Sequence, residues 1–322
     1  MKKIFCIILS LIMFLVSGCK NNNSNNELDT TLNYINSLNS YNLTAEMTVY
    51  RHSKEMKIGI EVDYLKPDYY KVKFKNKNGE DQYIVKNDEG VFVLTPALNK
   101  EFKFDSQWPL NSSHAYLLEG IKNDILIDQN HEYKLEGICV VVECKLSMPN
   151  SASKLQFYYD LINNKPVKAI CKNDNNEVLT MVEFKSFSPN KKLSKNDFNS
   201  KYIMEESVSE GGNLEDELNL TVSCGNVLSD MNLVSSRYNG DLTILCYSGE
   251  NKNYTITVNK VEVYSSSVIL EEYNEIEYLE CGLVLSNDSV IKYYDRGYEI
   301  SIYYKNMSLD ELLLIADSIE LS

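Results

Sequence analysis

The chain has 322 residues, which corresponds to two domains at about 100–200 residues per domain. Hydrophobic residues make up 43% and charged residues 24%, while 13 Gly and 6 Pro are too few for a collagen-like or low-complexity chain. The 23 Tyr and 10 Phe argue against extended disorder, and the net charge of −14 argues against a protein that binds nucleic acid.

The N-terminal residues have the organisation of a bacterial lipoprotein signal. Lys2 and Lys3 are followed by an apolar run over residues 4–16, which is shorter than the roughly 20 residues of a membrane-spanning helix. The run ends in Leu-Val-Ser-Gly-Cys at Cys19, which resembles a lipobox. We predict a signal peptide at residues 1–18, then a lipidated Cys19 and a flexible tether at residues 19–27. This places the protein on the extracytoplasmic face of the cell membrane (the spore membrane in a spore-former); the alternative is a plain secretion signal with an accidental cysteine.

Residues 27–187 predict a long meander of antiparallel strands with a few helices. Apolar positions spaced by three and four residues indicate a helix over 27–37, and a second helix over 112–122 would have Ser113 as its N-cap. Alternating segments separated by turn residues predict strands at 43–50, 57–64, 69–74, 82–86, 91–95, 133–146, 154–159, 167–172 and 178–187. We expect an α+β fold in which helices cover the inner face of an open, curved sheet.

The C-terminal part of the chain differs in charge. Residues 201–322 contain 7 Lys and Arg against 22 Asp and Glu, whereas the first 200 residues are nearly neutral. A Gly- and Ser-rich acidic stretch at residues 206–217 predicts a linker. Short strands follow, and a capping box that starts at Ser308 predicts a C-terminal helix. We therefore expect a small acidic α+β module at residues 218–322.

Several sequence segments resemble a known family. They are residues 64–72 (YLKPDYYKV), 87–96 (NDEGVFVLTP) and 99–104 (NKEFKF), in this order after an opening helix. They resemble the lipoprotein-carrier (LolA-like) superfamily, and residues 93–109 are most similar to its Gram-positive spore germination lipoproteins of the GerS type. The resemblance implies a half-barrel with a hydrophobic cavity over residues 28–205. Residues 290–319 resemble the DUF4367 type of module, for which no active site is known.

The sequence indicates no catalytic residues, no metal site and no cofactor. Three scattered His offer no zinc-ligand spacing, and the many carboxylates have the distribution of a solvated acidic face. Six cysteines remain after the signal, in apolar strand-like segments: Cys139, Cys144, Cys171, Cys224, Cys246 and Cys281. Core thiols are the favoured interpretation, and a disulfide is the alternative that an extracytoplasmic compartment permits.

The segment between the strands and the second helix supplies the candidate binding residues, which are Phe102, Phe104, Trp108, Tyr116 and Leu117. They either pack in the core or line a cavity rim that holds an acyl chain or a partner loop. We expect a membrane-anchored, non-enzymatic binding lipoprotein. The germination resemblance implies a protein partner such as a peptidoglycan amidase. The alternatives are a lipid-binding sensor of an envelope-stress or anti-sigma system and a purely structural envelope protein.

Overall fold

The computed structural model describes residues 24–51, 54–75, 81–104, 108, 114–148, 152–210, 222–225, 227–261, 267–270, 273 and 275–321. The predicted signal peptide and Cys19 lie outside these residues, as does the greater part of the predicted linker. The fold class is confirmed: one large open sheet carries covering helices, and a second, smaller sheet follows in the C-terminal part of the chain.

Four helices and twenty-one strands make up the described chain. The helices are α1 (Ser24–Ser37), α2 (Leu118–Ile127), α3 (Ser200–Glu210) and α4 (Leu309–Ala316), with 3-10 turns at Pro96–Leu98 and Lys195–Phe198. The first eleven strands are β1 (Ser40–Arg51), β2 (Lys54–Leu65), β3 (Tyr69–Lys75), β4 (Gln82–Asn87), β5 (Gly90–Thr95), β6 (Lys100–Phe104), β7 (Glu132–Glu136), β8 (Cys139–Lys145), β9 (Lys154–Asp160), β10 (Lys165–Lys172) and β11 (Val178–Pro189). The remaining strands are β12 (Val222–Cys224), β13 (Asn232–Asn239), β14 (Leu242–Ser248), β15 (Asn253–Lys260), β16 (Ser267–Leu270), β17 (Glu275–Leu279), β18 (Gly282–Ser286), β19 (Val290–Asp295), β20 (Tyr298–Lys305) and β21 (Ile319–Leu321).

The large sheet has twelve strands in the order β16-β6-β5-β4-β3-β2-β1-β11-β10-β9-β8-β7. Each pair is antiparallel except β16 and β6, which are parallel. Its inner face, which we define as the face that carries α1 and α2, encloses one continuous core. The opposite face packs against α3 over β3, β4 and β5. We use the term half-barrel for this sheet together with α1 and α2.

Strand alternation explains the two faces. In β5, Val91 and Val93 point into the inner core, whereas Phe92 and Leu94 pack on the other side with Ile203 of α3. Both faces are covered at this strand, so its residues form a continuous apolar run. The sequence pattern of β5 therefore follows directly from its place in the sheet.

The smaller sheet contains β13-β14-β15-β20-β19-β18-β17, and α4 packs on it. The predicted capping box is present: Ser308 Oγ accepts a hydrogen bond from Glu311 N, and the Glu311 carboxylate accepts one from Ser308 N at 3.0 Å. Leu312 and Leu313 of α4 are buried in the second core. We refer to residues 222–321 of the described chain as the C-terminal half.

Several predicted element bounds differ from the structure. The strand expected at 133–146 is a hairpin of β7 and β8, because Gly137 adopts φ +62 and reverses the chain. The second helix begins at Leu118 after Leu117, whose side chain makes no capping bond, and not after Ser113. Helix α1 begins at Ser24, within the predicted tether. The acidic Glu27 lies in its first turn, where a negative charge stabilises the helix. Helix α3 continues to Glu210, within the predicted linker.

Candidate binding site on the inner face

The structure buries the candidate residues whose side chains it describes. Phe102, Trp108, Tyr116 and Leu117 are each 2% exposed or less and belong to the inner core. Phe104 is the last residue of β6, and its side chain lies outside the described part of the structure. These positions agree with the core interpretation of the segment, and a role in binding stays a prediction.

A row of aromatic rings crosses the inner face. Tyr41, Tyr64 and Tyr70 stand opposite one another on β1, β2 and β3, with ring centroids 5.1 Å apart in each neighbouring pair. Trp108 meets Tyr70 edge-on at 5.8 Å and lies 5.5 Å from the His114 ring. Such tilted and edge-on contacts are the favoured geometry of aromatic pairs. The row therefore connects the centre of the sheet to the segment that carries Trp108.

The row continues into the C-terminal half. The hydroxyl groups of Tyr116 and Tyr278 share a hydrogen bond of 2.8 Å, and both rings contact Phe74 of β3. Burial raises the pKa of both tyrosines, so both hydroxyls stay protonated. Phe102 similarly packs on Tyr294 of β19 at 5.8 Å. The inner face thus holds side chains of its own chain from well beyond the half-barrel.

Gln82 makes a short polar contact between the two halves. Its Oε1 accepts a hydrogen bond of 2.6 Å from Leu283 N, and its Nε2 donates to Thr95 Oγ1 at 3.2 Å. Gly282, at φ +140, permits this approach because a Cβ there would collide with Gln82 Oε1. Sequence reasoning missed this pair, since neither residue belongs to a motif.

A cleft of about 380 Å³ lies between the C-terminal half and the hairpin formed by the end of β1 and the start of β2. Arg51 lines it and donates to the Tyr278 carbonyl at 3.1 Å, with Glu277 3.5 Å away. Asp295 lines the other side, where burial raises its carboxyl pKa. Polar contacts across the cleft therefore supplement the apolar contact between the halves.

A buried carboxyl group lies at the start of the aromatic row. Glu119, in the first turn of α2, accepts a 2.6 Å hydrogen bond from the Tyr41 hydroxyl. Burial raises the pKa of Glu119 to about 7, against the opposing effects of the Tyr41 hydrogen bond and of Lys122. Burial likewise lowers the pKa of His114 to about 4, so this ring is neutral at pH 7. No local sequence pattern singles out Glu119, because its partner Tyr41 is distant in the chain.

The six cysteines that the structure describes form no disulfide with one another and remain thiols. Cys144 and Cys171 are buried, and burial is the main cause that raises the pKa of Cys171 to about 12. Within the described ranges, no cluster of three His, Cys, Asp or Glu residues could hold a metal ion. None of the helices that the structure describes has the length and apolar character needed to cross a bilayer.

Comparisons with known proteins give the following similarities. The sporulation protein YdcC of Bacillus subtilis (strain 168) is 28% identical over 293 residues, which are 87% of this chain and 86% of that protein. The structure is similar to a LolA superfamily protein from Nitrosomonas europaea, with 10% identity, a TM-score of 0.33, and coverage of 54% of this chain and 98% of the other. It is also similar to a chain in the complex of the CwlD amidase from Clostridioides difficile with the GerS lipoprotein, with 17% identity, a TM-score of 0.31, and coverage of 53% and 97%.

The match to the Bacillus protein extends beyond the half-barrel and so includes part of the C-terminal half. The model of the family described as "Sporulation protein YdcC-like" matches residues 1–198, which is more than half of the chain. The chain belongs to the YdcC-like family of sporulation proteins.

Proposed function

We propose that this sporulation-family protein is a membrane-anchored, non-enzymatic lipoprotein that binds a protein partner through its half-barrel. The observation that carries the proposal is the occupancy of the inner face by polypeptide. Tyr278 and Tyr294 lie against it with their rings, and β16 extends its sheet by pairing with β6. An inner face that accommodates rings and a strand from its own chain has the chemistry to accommodate those of another protein.

Binding at this face requires the C-terminal half to give way. The two halves are joined by the Tyr116–Tyr278 hydrogen bond, the Gln82–Leu283 bond and the Arg51 contact. If only a fraction of the molecules has the inner face free of the C-terminal half, the apparent affinity for a partner is reduced to that fraction of the intrinsic affinity. The C-terminal half would therefore regulate access to the inner face.

The anchor is proposed from the lipobox at Cys19. Changing Cys19→Ala removes the thiol that would form the thioether, so the variant would remain an unlipidated precursor. Metabolic labelling with an alkyne fatty acid would detect the modification on the wild-type protein and not on the variant. Label that persists on the variant would refute the anchor.

A purified peptidoglycan amidase from the same organism is the first partner to test, because residues 93–109 resemble spore germination lipoproteins. Biolayer interferometry with residues 20–322 would measure the affinity. Tyr116→Phe and Arg51→Gln loosen the contact between the halves and should each tighten binding by about three- to tenfold. Tyr303→Phe changes an exposed ring in the C-terminal half and serves as the control.

Two outcomes would contradict the proposal in different ways. If the amidase does not bind, this partner is wrong. If it binds with the same affinity to the loosened variants, the partner contacts a surface other than the inner face. If native mass spectrometry detects one co-purified acyl chain per protein molecule, the lipid-binding sensor is favoured instead.

A further inference from the structure

The last strand of the half-barrel's first meander, β6, is paired on one side with a strand from the other half of the chain. Strands β1 to β6 follow one another in the large sheet in sequence order, and β5 is the antiparallel neighbour of β6. The second neighbour of β6 is β16, which belongs to the C-terminal half. Without β16, the N–H and C=O groups on that side of β6 would form an open sheet edge. Strand β16 therefore covers an edge that the half-barrel strands leave open.

The pairing of β16 with β6 is short, and its direction differs from that of the other pairs. Four residues of each strand are in register, from Ser267 opposite Lys100 to Leu270 opposite Lys103. The other pairs that the structure describes in this sheet are antiparallel and have at least five residues in register. Parallel pairing is also slightly less stable per residue. Removal of β16 therefore costs the sheet fewer paired residues than removal of any other of its strands.

The residues on either side of β16 are anchored without the help of this pairing. Val261 before it packs against the inner core, and Tyr273 after it is buried in that core with 3% of its surface exposed. The hydrogen bond between Tyr116 and Tyr278 joins the halves at a separate point. Because these contacts do not include β16, the strand can leave β6 while the two halves stay joined.

The side chains of β6 determine what kind of segment fits its edge. The residue of β16 in register with Phe102 is Ile269, and Phe102 itself is 1% exposed. The next residue of β6, Lys103, lies on the other face of the sheet, where its ammonium group is 5.6 Å from the centre of the Phe92 ring. The SVIL sequence of β16 is uncharged and contains two β-branched residues, which favour strands. The edge thus fits an uncharged, β-branched segment with an apolar residue opposite Phe102.

We infer that the edge of β6 is a strand-addition site, which β16 occupies in the free protein and a segment of the partner protein occupies in the complex. The partner contributes an extended, uncharged segment with β-branched residues, which lies parallel to β6 opposite residues 100–103. This inference rests on the proposed function, because it states how the partner of the half-barrel is held. In this mode of recognition, main-chain hydrogen bonds supply affinity and the neighbouring side chains supply specificity. Strand β16 is then a built-in competitor, since both strands cannot pair with the same edge at once.

A peptide with the sequence of β16 tests the site without any partner protein. The probe is a fluorescein-labelled peptide of residues 265–272 (SSSVILEE), and its binding to residues 20–322 is measured by fluorescence anisotropy. The double variant Val268→Pro, Ile269→Pro disables β16 in the protein. Alternate residues of a parallel strand bond to a given neighbour, so two successive prolines remove an N–H group that β6 needs in either case. The control is the same peptide with the same two prolines.

We expect the peptide to bind the double-proline variant at least tenfold more tightly than the wild type, in which β16 competes for the edge. The control peptide should bind neither protein. Hydrogen exchange followed by mass spectrometry should show that the peptide slows exchange in residues 100–104 of the variant. Residues 132–136 form β7, the strand at the opposite edge of the same sheet, and should exchange at an unchanged rate.

The direction of the added strand is measured separately. Parallel pairing places the first residue of the peptide near Lys100 and its last residue near Phe104, which is about 13 Å further along β6 at about 3.3 Å per residue. A nitroxide on the first residue should therefore broaden the amide resonance of Lys100 more than that of Phe104, and a nitroxide on the last residue should do the reverse. The opposite pattern would show antiparallel addition and would overturn the inferred direction.

Three results would overturn the site itself. They are no binding of the peptide to the folded variant, equal affinity for the variant and the wild type, and equal protection of β7 and β6. Thermal unfolding verifies that the variant is folded. A second variant, with Gly-Ser-Gly-Ser in place of residues 267–270, disables β16 without proline and should give the same increase in affinity.

The complex with the amidase separates this inference from the proposed function. When the amidase is bound to the double-proline variant, residues 100–104 should be protected from exchange as they are by the peptide. An amidase that binds without this protection would overturn strand addition and leave the proposed function standing. An amidase that does not bind would reject that partner, whereas binding of the peptide would still support the site.

Discussion

At the scale of single residues, Gly282 has the most specific steric role in the contact between the halves. Replacing Gly282→Ala adds a Cβ that collides with Gln82 Oε1 in addition to the strain of φ +140. We expect the free energy of unfolding to fall by about 2–4 kcal/mol, as for overpacking combined with a lost buried hydrogen bond. Urea unfolding measures this loss.

Gly240→Ala is the matched control for that substitution. Gly240 also has a positive φ, +60, but nothing lies within 4 Å of its Cβ position. Only backbone strain remains, which costs about 1–2 kcal/mol. If both variants lose the same stability, the close approach of Gln82 is not what constrains residue 282.

Glu119 predicts a dependence of stability on pH. Burial raises its pKa in the folded protein to about 7, above the ordinary value of 4.5, so the folded state binds more protons between these values. The protonated Glu119 carboxyl group therefore makes its full contribution to the free energy of unfolding below pH 4.5, and this contribution is lost as the pH rises through 7. Glu119→Gln keeps a neutral side chain at all pH values, so its unfolding free energy should lack this decline of about 3 kcal/mol.

The measurement is a series of urea titrations between pH 4.5 and 8 on both proteins. The difference in unfolding free energy between Glu119→Gln and the wild type should increase in favour of the variant as the pH rises. Parallel curves would show that Glu119 titrates normally in the folded protein.

At the scale of elements, the capping box of α4 permits a direct test. Ser308→Ala removes the side-chain acceptor for Glu311 N and should lower the unfolding free energy by about 1 kcal/mol. Ser308→Thr retains the hydroxyl and should stay within a few tenths of a kcal/mol. Thermal unfolding compares the two, and an equal loss in both variants would mean that the cap contributes little.

The sequence predicts elements where one local pattern determines them. The helix at α4 follows from its capping box, and the alternating residues of β1 and β2 follow from the burial of one face. The Gly137 turn was missed because the alternating residues 132–136 are followed at once by the apolar residues 138–142, with a single Gly between the two strand-like patterns. Residue Leu117 lacks a capping side chain, so the start of α2 depends on tertiary contacts and was placed too early.

The candidate site was predictable only in part. Phe102, Trp108 and Tyr116 stood out as aromatic residues between the strands and the second helix, and the structure places all three on the inner face. Their contacts to Tyr70, Tyr278 and Tyr294 could not be foreseen, because they depend on sheet register and on pairing over more than 150 residues. Periodicity identifies a buried face but not what covers it.

At the scale of the whole molecule, the charge change and the linker still predict a division into residues 28–205 and 218–322. Limited proteolysis should cut first between about residues 205 and 217 and leave two resistant fragments. A first cut within residues 90–190 would contradict the half-barrel as an independent unit.

The shared inner core adds an expectation about the nicked protein. Leu283, Leu285 and Tyr294 are buried in the same core as the half-barrel residues, so the two fragments should elute together on gel filtration. In the double variant Tyr116→Phe, Arg51→Gln, the two fragments should separate at a lower urea concentration than in the nicked wild type. Immediate separation without urea would mean that the contact between the halves is weak in solution.

The pairing of β1 with β11 has a consequence for the time at which the protein can fold. Tyr41 pairs with Pro189, so the strand at the centre of the large sheet has an open edge until about 150 further residues have been made. At roughly 5–20 residues per second, this interval lasts about 8 to 30 seconds. During it, β1 to β6 are a half-built sheet with an unpaired strand and an uncovered apolar face, which is a state prone to aggregation. A chain with this topology needs a chaperone, or transport in an unfolded form, for nearly half of its own synthesis.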